Sequence, residues 1–348
     1  MTNRSLKNFF LVLLGFVGAV AIALGSSMEA TDATANFYYD VTPLGILPGD
    51  DNSLARGIND AGQVVGVSGT NLGTQHAFFW ENGSMTPIGT LGGTESVATG
   101  INNSGTVAGY AQTSDGSYHA FTWRDGTFTD LGTNGSNGSY AYAINDAGKV
   151  AGSLLIGFNQ VPQAVSWNNN NGITILGDLN SNAEGINNPG KVVGTMSTSS
   201  GYDHAFLWYK NGTRTDLGTL GGVVSIANGI NEAGKVIGSS LTSNGIQHAA
   251  LWQNGSITDL GTLGGNTSYA SGINNAGKVV GTAQTSTGVD HAFLWYSGIM
   301  TDLNSKLQPN SGWVLSSAWA INNSGQIVGF GAYQGHNEAF LLTPVSVT

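Results

Sequence analysis

The chain has 348 residues, 53 of them glycine, with charged residues at only 9% and a formal net charge of −10. That length can bury a large core, while 11 basic residues spread thinly leave no electrostatic footprint for nucleic acid. The absence of cysteine excludes disulfides, thiolate metal sites, a cysteine nucleophile and a lipid anchor on cysteine.

Residues 1–25 read as a separate object. Arg4 and Lys7 precede the apolar run "FFLVLLGFVGAVAIAL" (9–24), and a stretch of small residues follows. This order of charge, apolar run and small residues is that of a secretory signal, with cleavage expected after Ala23 or Gly25. An uncleaved N-terminal anchor is the alternative, because the run is long for a signal and short for a span. Residues 26–36 are a short linker. No second apolar segment follows, so the domain over 37–348 is expected outside the cytoplasm, extracellular or at the cell surface.

From residue 37 onward the chain repeats itself. Ile-Asn recurs at 58, 101, 144, 186, 230, 273 and 321, which defines seven copies of one unit. Each copy continues to a glycine and then an apolar pair ending in glycine, as in "INDAGQVVG" (58–66), the pattern of two strands around a tight turn. The glycine of that turn, Gly62 in the first copy and Gly277 in the sixth, is placed at the positive-φ position. A third strand follows with the form "HAFLW" (204–208, 291–295), and after a short turn a fourth such as "ITDLGTL" (257–263). A unit of about 43 residues and four antiparallel strands is the size of one propeller blade.

The two ends decide between a ring and an open stack. The last copy stops after its third strand, while "YYDVTPLGIL" (39–48) is an orphan fourth strand ahead of the first copy. Together they complete one blade and hide the edge strands that an open solenoid would have to cap. The expected fold is therefore an all-β, seven-bladed β-propeller of four-stranded antiparallel blades, closed by an N-terminal strand joining the last blade. A β-solenoid with two rungs per repeat is the alternative.

The His-Ala-Phe triplet, with "GINxxGxVVG" before it and "TRTDLGTLGG" (213–222) after it, resembles the HAF-family extracellular repeat proteins of bacteria. The resemblance spans the whole repeat region and implies export and a repeat fold, with no established activity. Such families often end in a Pro-Glu-Pro sorting tail; this sequence ends "AFLLTPVSVT", so surface anchoring through the C-terminus is not expected.

His76, His119, His204, His248 and His291 open the third strands, and five histidines invite a metal reading. Third strands lie on the order of 15 Å from a propeller axis, which puts equivalent imidazoles about 13 Å apart, too far to share an ion. Gln163 and Glu338 fill the same position, so the expected role is a hydrogen bond to the backbone of an adjoining loop. Trp80, Trp123, Trp167, Trp208, Trp252 and Trp295 close the same strands and are expected to pack blades together. Asp130, Asp216, Asp259 and Asp302 recur beside a turn and are read as turn acceptors, not catalytic acids. The Asn-rich turns lack the convergent carboxylates of a calcium site, so no metal and no cofactor is expected.

The second-to-third loops and the "TLGG" crossings share one rim, and a binding site is expected there. Its candidate contacts are Asp115, Tyr118, Phe158, Tyr202, Asp203, Tyr333 and His336. A catalytic site is expected only where the repeat breaks its rule: at "SLLIGFNQVP" (153–162), at "GDLNSNAEG" (177–185) with Asp178 and Glu184, and at "NSKLQPNSGWVLSSAW" (304–319) with Trp313 and Trp319. The expected function is a non-enzymatic, monomeric binding, adhesion or structural scaffold for an extracellular polysaccharide or a surface protein. A polysaccharide hydrolase or lyase using carboxylates of the irregular loops is the alternative.

Overall fold

The computed structural model describes residues 37–168 and 172–346; the expected signal peptide and linker lie outside them. Those residues form seven four-stranded sheets, all antiparallel. Blade one is typical, with strands Asn52–Ile58, Val64–Gly69, Gln75–Glu81 and Ser84–Pro87 running from the axis outward. The blades close into a ring, a seven-bladed β-propeller. In blade seven the outermost strand is the N-terminal segment Phe37–Gly45, paired antiparallel with the C-terminal strand His336–Ser346.

The turn between first and second strands explains the Ile-Asn signature. Asn59 Oδ1 accepts from the N–H groups of Ala61 and Gln63, and Gly62 sits at φ 81°. The side-chain oxygen thus satisfies the turn while glycine supplies the left-handed conformation. The same asparagine has a second task, since Asn59 Nδ2 donates to the carbonyl of Asn102 in the next blade at 3.1 Å. This contact repeats through Asn102, Asn145, Asn187, Asn231 and Asn274 to Asn322, which donates back to the Asn59 carbonyl at 3.1 Å. A complete circle of seven buried amides therefore closes the ring across its seam. The residue after each asparagine makes a second, exposed circle: Asp60 N–H donates to Asn103 Oδ1, and the series ends with Asn323 N–H donating to Asp60 Oδ1.

Packing follows the alternation of the third strand. Its third and fifth residues, Phe121 and Trp123 for example, face the preceding blade, while its alanine faces the next one. Seven apolar clusters result, one at each blade interface. Trp80, Trp167, Trp208 and Trp252 are buried, and Trp123 and Trp295 pack half-buried against their clusters. Buried serines stitch the same interfaces: Ser268 Oγ accepts from Ala249 N–H of the preceding blade at 2.8 Å and donates to Gly261 O at 2.5 Å. The seam uses this device too, through Ala339 N–H to Ser53 Oγ at 2.9 Å.

Candidate functional site

Each innermost strand carries a β-bulge two residues before its Ile-Asn. In blade one the register shifts between Ala55 and Gly57, which leaves Arg56 unpaired, and in blade four between Ala183 and Gly185, which leaves Glu184 unpaired. A bulge re-aims the side chain it releases. Here all seven released side chains meet on the propeller axis: Arg56, Thr99, Tyr142, Glu184, Asn228, Ser271 and Trp319. No two are alike, although the residues around them repeat almost unchanged from blade to blade. Below them, seven isoleucines from Ile58 to Ile321 form an apolar collar that leads to the asparagine circles. Above them the cavity widens to about 510 Å³ and gains Tyr269, Thr282, Asp290 and Ser317 as walls. That volume falls within the range of about 300–1,000 Å³ usual for small-molecule sites.

The chemistry of this cavity is mixed. Arg56 lies over the Trp319 ring at 5.0 Å, and its Nε is buried without a hydrogen-bond partner among the described residues. The Trp319 indole N–H is equally unpartnered. Glu184 stands three blades away from Arg56, and burial pushes its carboxyl up to about 7. Enclosure by protein on the cavity wall disfavours the charged form, and no opposing charge is close enough to offset it. Tyr142 is held protonated by its burial, with its hydroxyl 3.3 Å from Ser153 Oγ. Beside it, Tyr110, Tyr118 and Tyr140 form an aromatic cluster with Tyr118 and Tyr140 stacked at 5.9 Å. The Tyr118 hydroxyl donates to Glu95, which pushes its own ionisation up to about 12.

The histidines do something other than expected. Four of them donate from Nδ1 to a carboxylate of the fourth strand: His119 to Asp130, His204 to Asp216, His248 to Asp259 and His291 to Asp302, at 2.7–2.8 Å. His76 uses Asp50 at 3.0 Å, because Pro87 occupies the aspartate position in its own blade. Backbone acceptance holds only where histidine is absent, through Gln163 to Gly177 O at 3.2 Å; Glu338 in turn accepts from Gly45 N–H at 3.0 Å. Each fourth-strand aspartate also caps its turn, as when Asp259 Oδ1 accepts from Gly261 N–H at 2.8 Å. Four of the His-Asp pairs therefore fasten the third strand to the fourth, while His76 is tied to Asp50 in the connection ahead of its blade's first strand. Among the described residues no group of three or more His, Cys, Asp or Glu is placed to hold a metal.

The rim candidates are scattered. Phe158 is 99% exposed at the tip of a hairpin, and Tyr202 is exposed on the next blade. Asp115 accepts from Thr113 Oγ1 and Ser117 N–H within its own turn, which holds its carboxyl below the ordinary range. Asp203 accepts from Ser197 Oγ at 2.5 Å. Tyr333 stacks on Trp313 at 4.6 Å, and His336 Nε2 meets Glu338 at 3.2 Å. None of the seven lines the axial cavity; Tyr118 instead packs against Tyr110 and Tyr140. The loops themselves are close hairpins, Thr113 to Tyr118 for example, no longer than the Ile58 to Val64 turn on the opposite rim. Asp178 does not join Glu184: it is exposed and paired with Arg214 at 2.9 Å. Sequence reasoning singled out Glu184 and Trp319 as parts of irregular segments and missed the other five bulge residues. The available signal was a repeat position where all seven copies differ.

The molecule is thus a propeller with one differentiated axial cavity. No protein-family model and no curated protein matches the chain. Among solved structures it is similar to YCF48 bound to D1 peptide, at 12% identity and TM-score 0.53 over 89% of this chain and 96% of that one. It is also similar to a Mycobacterium tuberculosis puromycin-hydrolyzing peptidase, at 10% identity and TM-score 0.51, covering 84% of this chain and 52% of the peptidase. Identities this low establish the shared propeller fold alone.

Proposed function

We propose that the chain is an exported, non-catalytic binding propeller that receives part of an extracellular polysaccharide in its axial cavity. One observation carries this reading: on a scaffold that repeats serines, asparagines, histidines and tryptophans in register, the seven bulge positions alone converge on one space with seven different side chains. Symmetric packing needs identical residues, whereas recognition of an asymmetric ligand needs different ones. Tyr142, Trp319 and Tyr269 supply ring faces, and Thr99, Asn228 and Ser271 supply polar atoms, the mixture suited to a sugar. The export signal and the HAF-type repeat support a location outside the cytoplasm.

The test is retention of the full chain on a panel of insoluble cell-envelope polysaccharides, with the supernatant assayed for released sugar. Wild type is expected to be retained without release. Trp319→Ala and Tyr142→Ala are expected to weaken retention by about tenfold or more, on the scale of buried aromatic anchors. Phe158→Ala and Tyr202→Ala leave it unchanged; the reverse pattern moves the site to the loop tips. A second reading draws on Glu184, whose raised ionisation suits a general acid, with Asp290 as the other carboxylate lining the cavity. Sugar release that Glu184→Gln abolishes would favour it.

A further inference from the structure

We propose that the axial cavity selects an acidic sugar, a uronate whose carboxylate pairs with Arg56 and whose hydroxyls meet Asn228, Thr99 and Glu184 on the other walls. This rests on the axial cavity being the ligand site and adds the class of ligand it takes. The first argument is Arg56 itself. It forms no ion pair among the described residues, its Nε is buried and unpartnered, and its place over Trp319 at 5.0 Å holds the guanidinium at the cavity wall. Arg56 is half-buried with a shielded Nε and no counter-charge, and a planar carboxylate is the group that a guanidinium fork matches best.

The second argument is the polarity of the remaining atoms. Asn228 Nδ2 is used on Ala270 O at 2.8 Å, so its Oδ1 is left as an acceptor. Thr99 Oγ1 lies 3.0 Å from Ala141 O and 3.1 Å from Ala108 O, so its single proton is taken up by backbone carbonyls and the oxygen is left as an acceptor. Acceptors opposite one strong cationic donor complement a ligand with an anion at one end and hydroxyl donors at the other.

The third argument concerns the acids. In a chain of net charge −10 an anion beside the bulge side chains is favoured where the carboxyl among them is neutral, and Asp290 lines only the wider part of the cavity. The titratable groups facing the cavity are Arg56, Tyr142, Tyr269, Glu184 and, in its wider part, Asp290. Burial keeps Glu184 largely protonated below about pH 7, where it donates a hydrogen bond; above that it becomes a second anion facing the ligand. An ammonium-bearing ligand would want the opposite.

The test is calorimetric titration of the full chain with sodium D-glucuronate, D-glucose and sodium acetate. At about pH 6, glucuronate is expected to bind at least tenfold tighter than either of the others, the size of one charge-assisted contact. Arg56→Gln brings glucuronate down to the level of glucose, while Arg56→Lys restores part of the difference; an unchanged thermal midpoint shows that each variant is folded. Raising the pH to about 8 weakens glucuronate binding to wild type and not to Glu184→Gln. Equal binding of glucose and glucuronate overturns the acidic preference, yet leaves the axial site standing if Trp319→Ala still weakens polysaccharide retention. Acetate binding as tightly as glucuronate, or no glucuronate binding at all, also overturns it.

Discussion

Glu184 shows how far a single residue can depart from its repeat. Six other blades place an uncharged or basic residue at the same bulge, and only here does burial act on a carboxyl. Its ionisation is raised in the folded chain from 4.5 to about 7, so the native state binds the proton more tightly than the unfolded state does. Its contribution is fully favourable below the unfolded value, is lost as pH rises through that window, and is constant above it. The urea midpoint of wild type is therefore expected to fall between pH 4.5 and about 7 relative to that of Glu184→Gln, and a parallel pair of curves would refute the assignment. The residue type was plain in the sequence. Its aim was not, because the neighbouring Asp178 invited a pairing in one loop, whereas the bulge turns Glu184 toward the axis and Asp178 faces Arg214 on the outer strand.

The element with the narrowest tolerance is the pair of inner strands. The second strand's repeated glycine lies against a carbonyl that the bulge pushes toward it: a Cβ at Gly281 would stand 1.9 Å from Tyr269 O and 2.9 Å from the Phe293 ring. The same approach recurs at Gly66, Gly109, Gly152, Gly194, Gly238 and Gly329. Backbone cannot yield as a side chain does, so Gly281→Ala is expected to destabilise by about 2–4 kcal/mol, read from urea unfolding, with loss of the bulge geometry. A cost near zero would mean the bulge is dispensable. The motif "VVG" was legible as a strand end; that its glycine answers to a bulge required the register. The His-Asp fasteners lie between these cases. His248 and Asp259 stand on one face of neighbouring strands, two residues out of direct register, as Ala250 pairs with Asp259. The hairpin alignment contained that proximity, yet backbone partners looked equally available in one dimension.

At the scale of the whole molecule, closure rests on the N-terminal strand, two circles of side-chain hydrogen bonds and the seam serine. Tyr39 is buried in the last interface and Leu44 in the first, so Phe37–Gly45 serves both neighbours of the seam. Deleting that strand would bare the long edge of His336–Ser346 and unseat both clusters. The deletion variant is expected to lose its single sharp unfolding transition and to elute in light-scattering chromatography at a higher mass than the full chain, as unpaired edges invite association. A deletion variant that elutes as the full chain does would show that the ring holds without its clasp.

The sequence by itself determined the strands, their grouping in fours, the seven blades and the splicing of the two ends into one. These follow from local periodicity and from counting copies, which need no third dimension. Only the tertiary structure decided where recognition residues meet. Arg56 and Trp319 are 263 positions apart in the chain, yet ring closure makes their blades neighbours and brings guanidinium and indole within 5.0 Å. A repeat is recognised by what its copies share, so the position at which they all differ reads as noise along the chain. Seven bulges on a closed ring point those differences at one axis, and there they become a site.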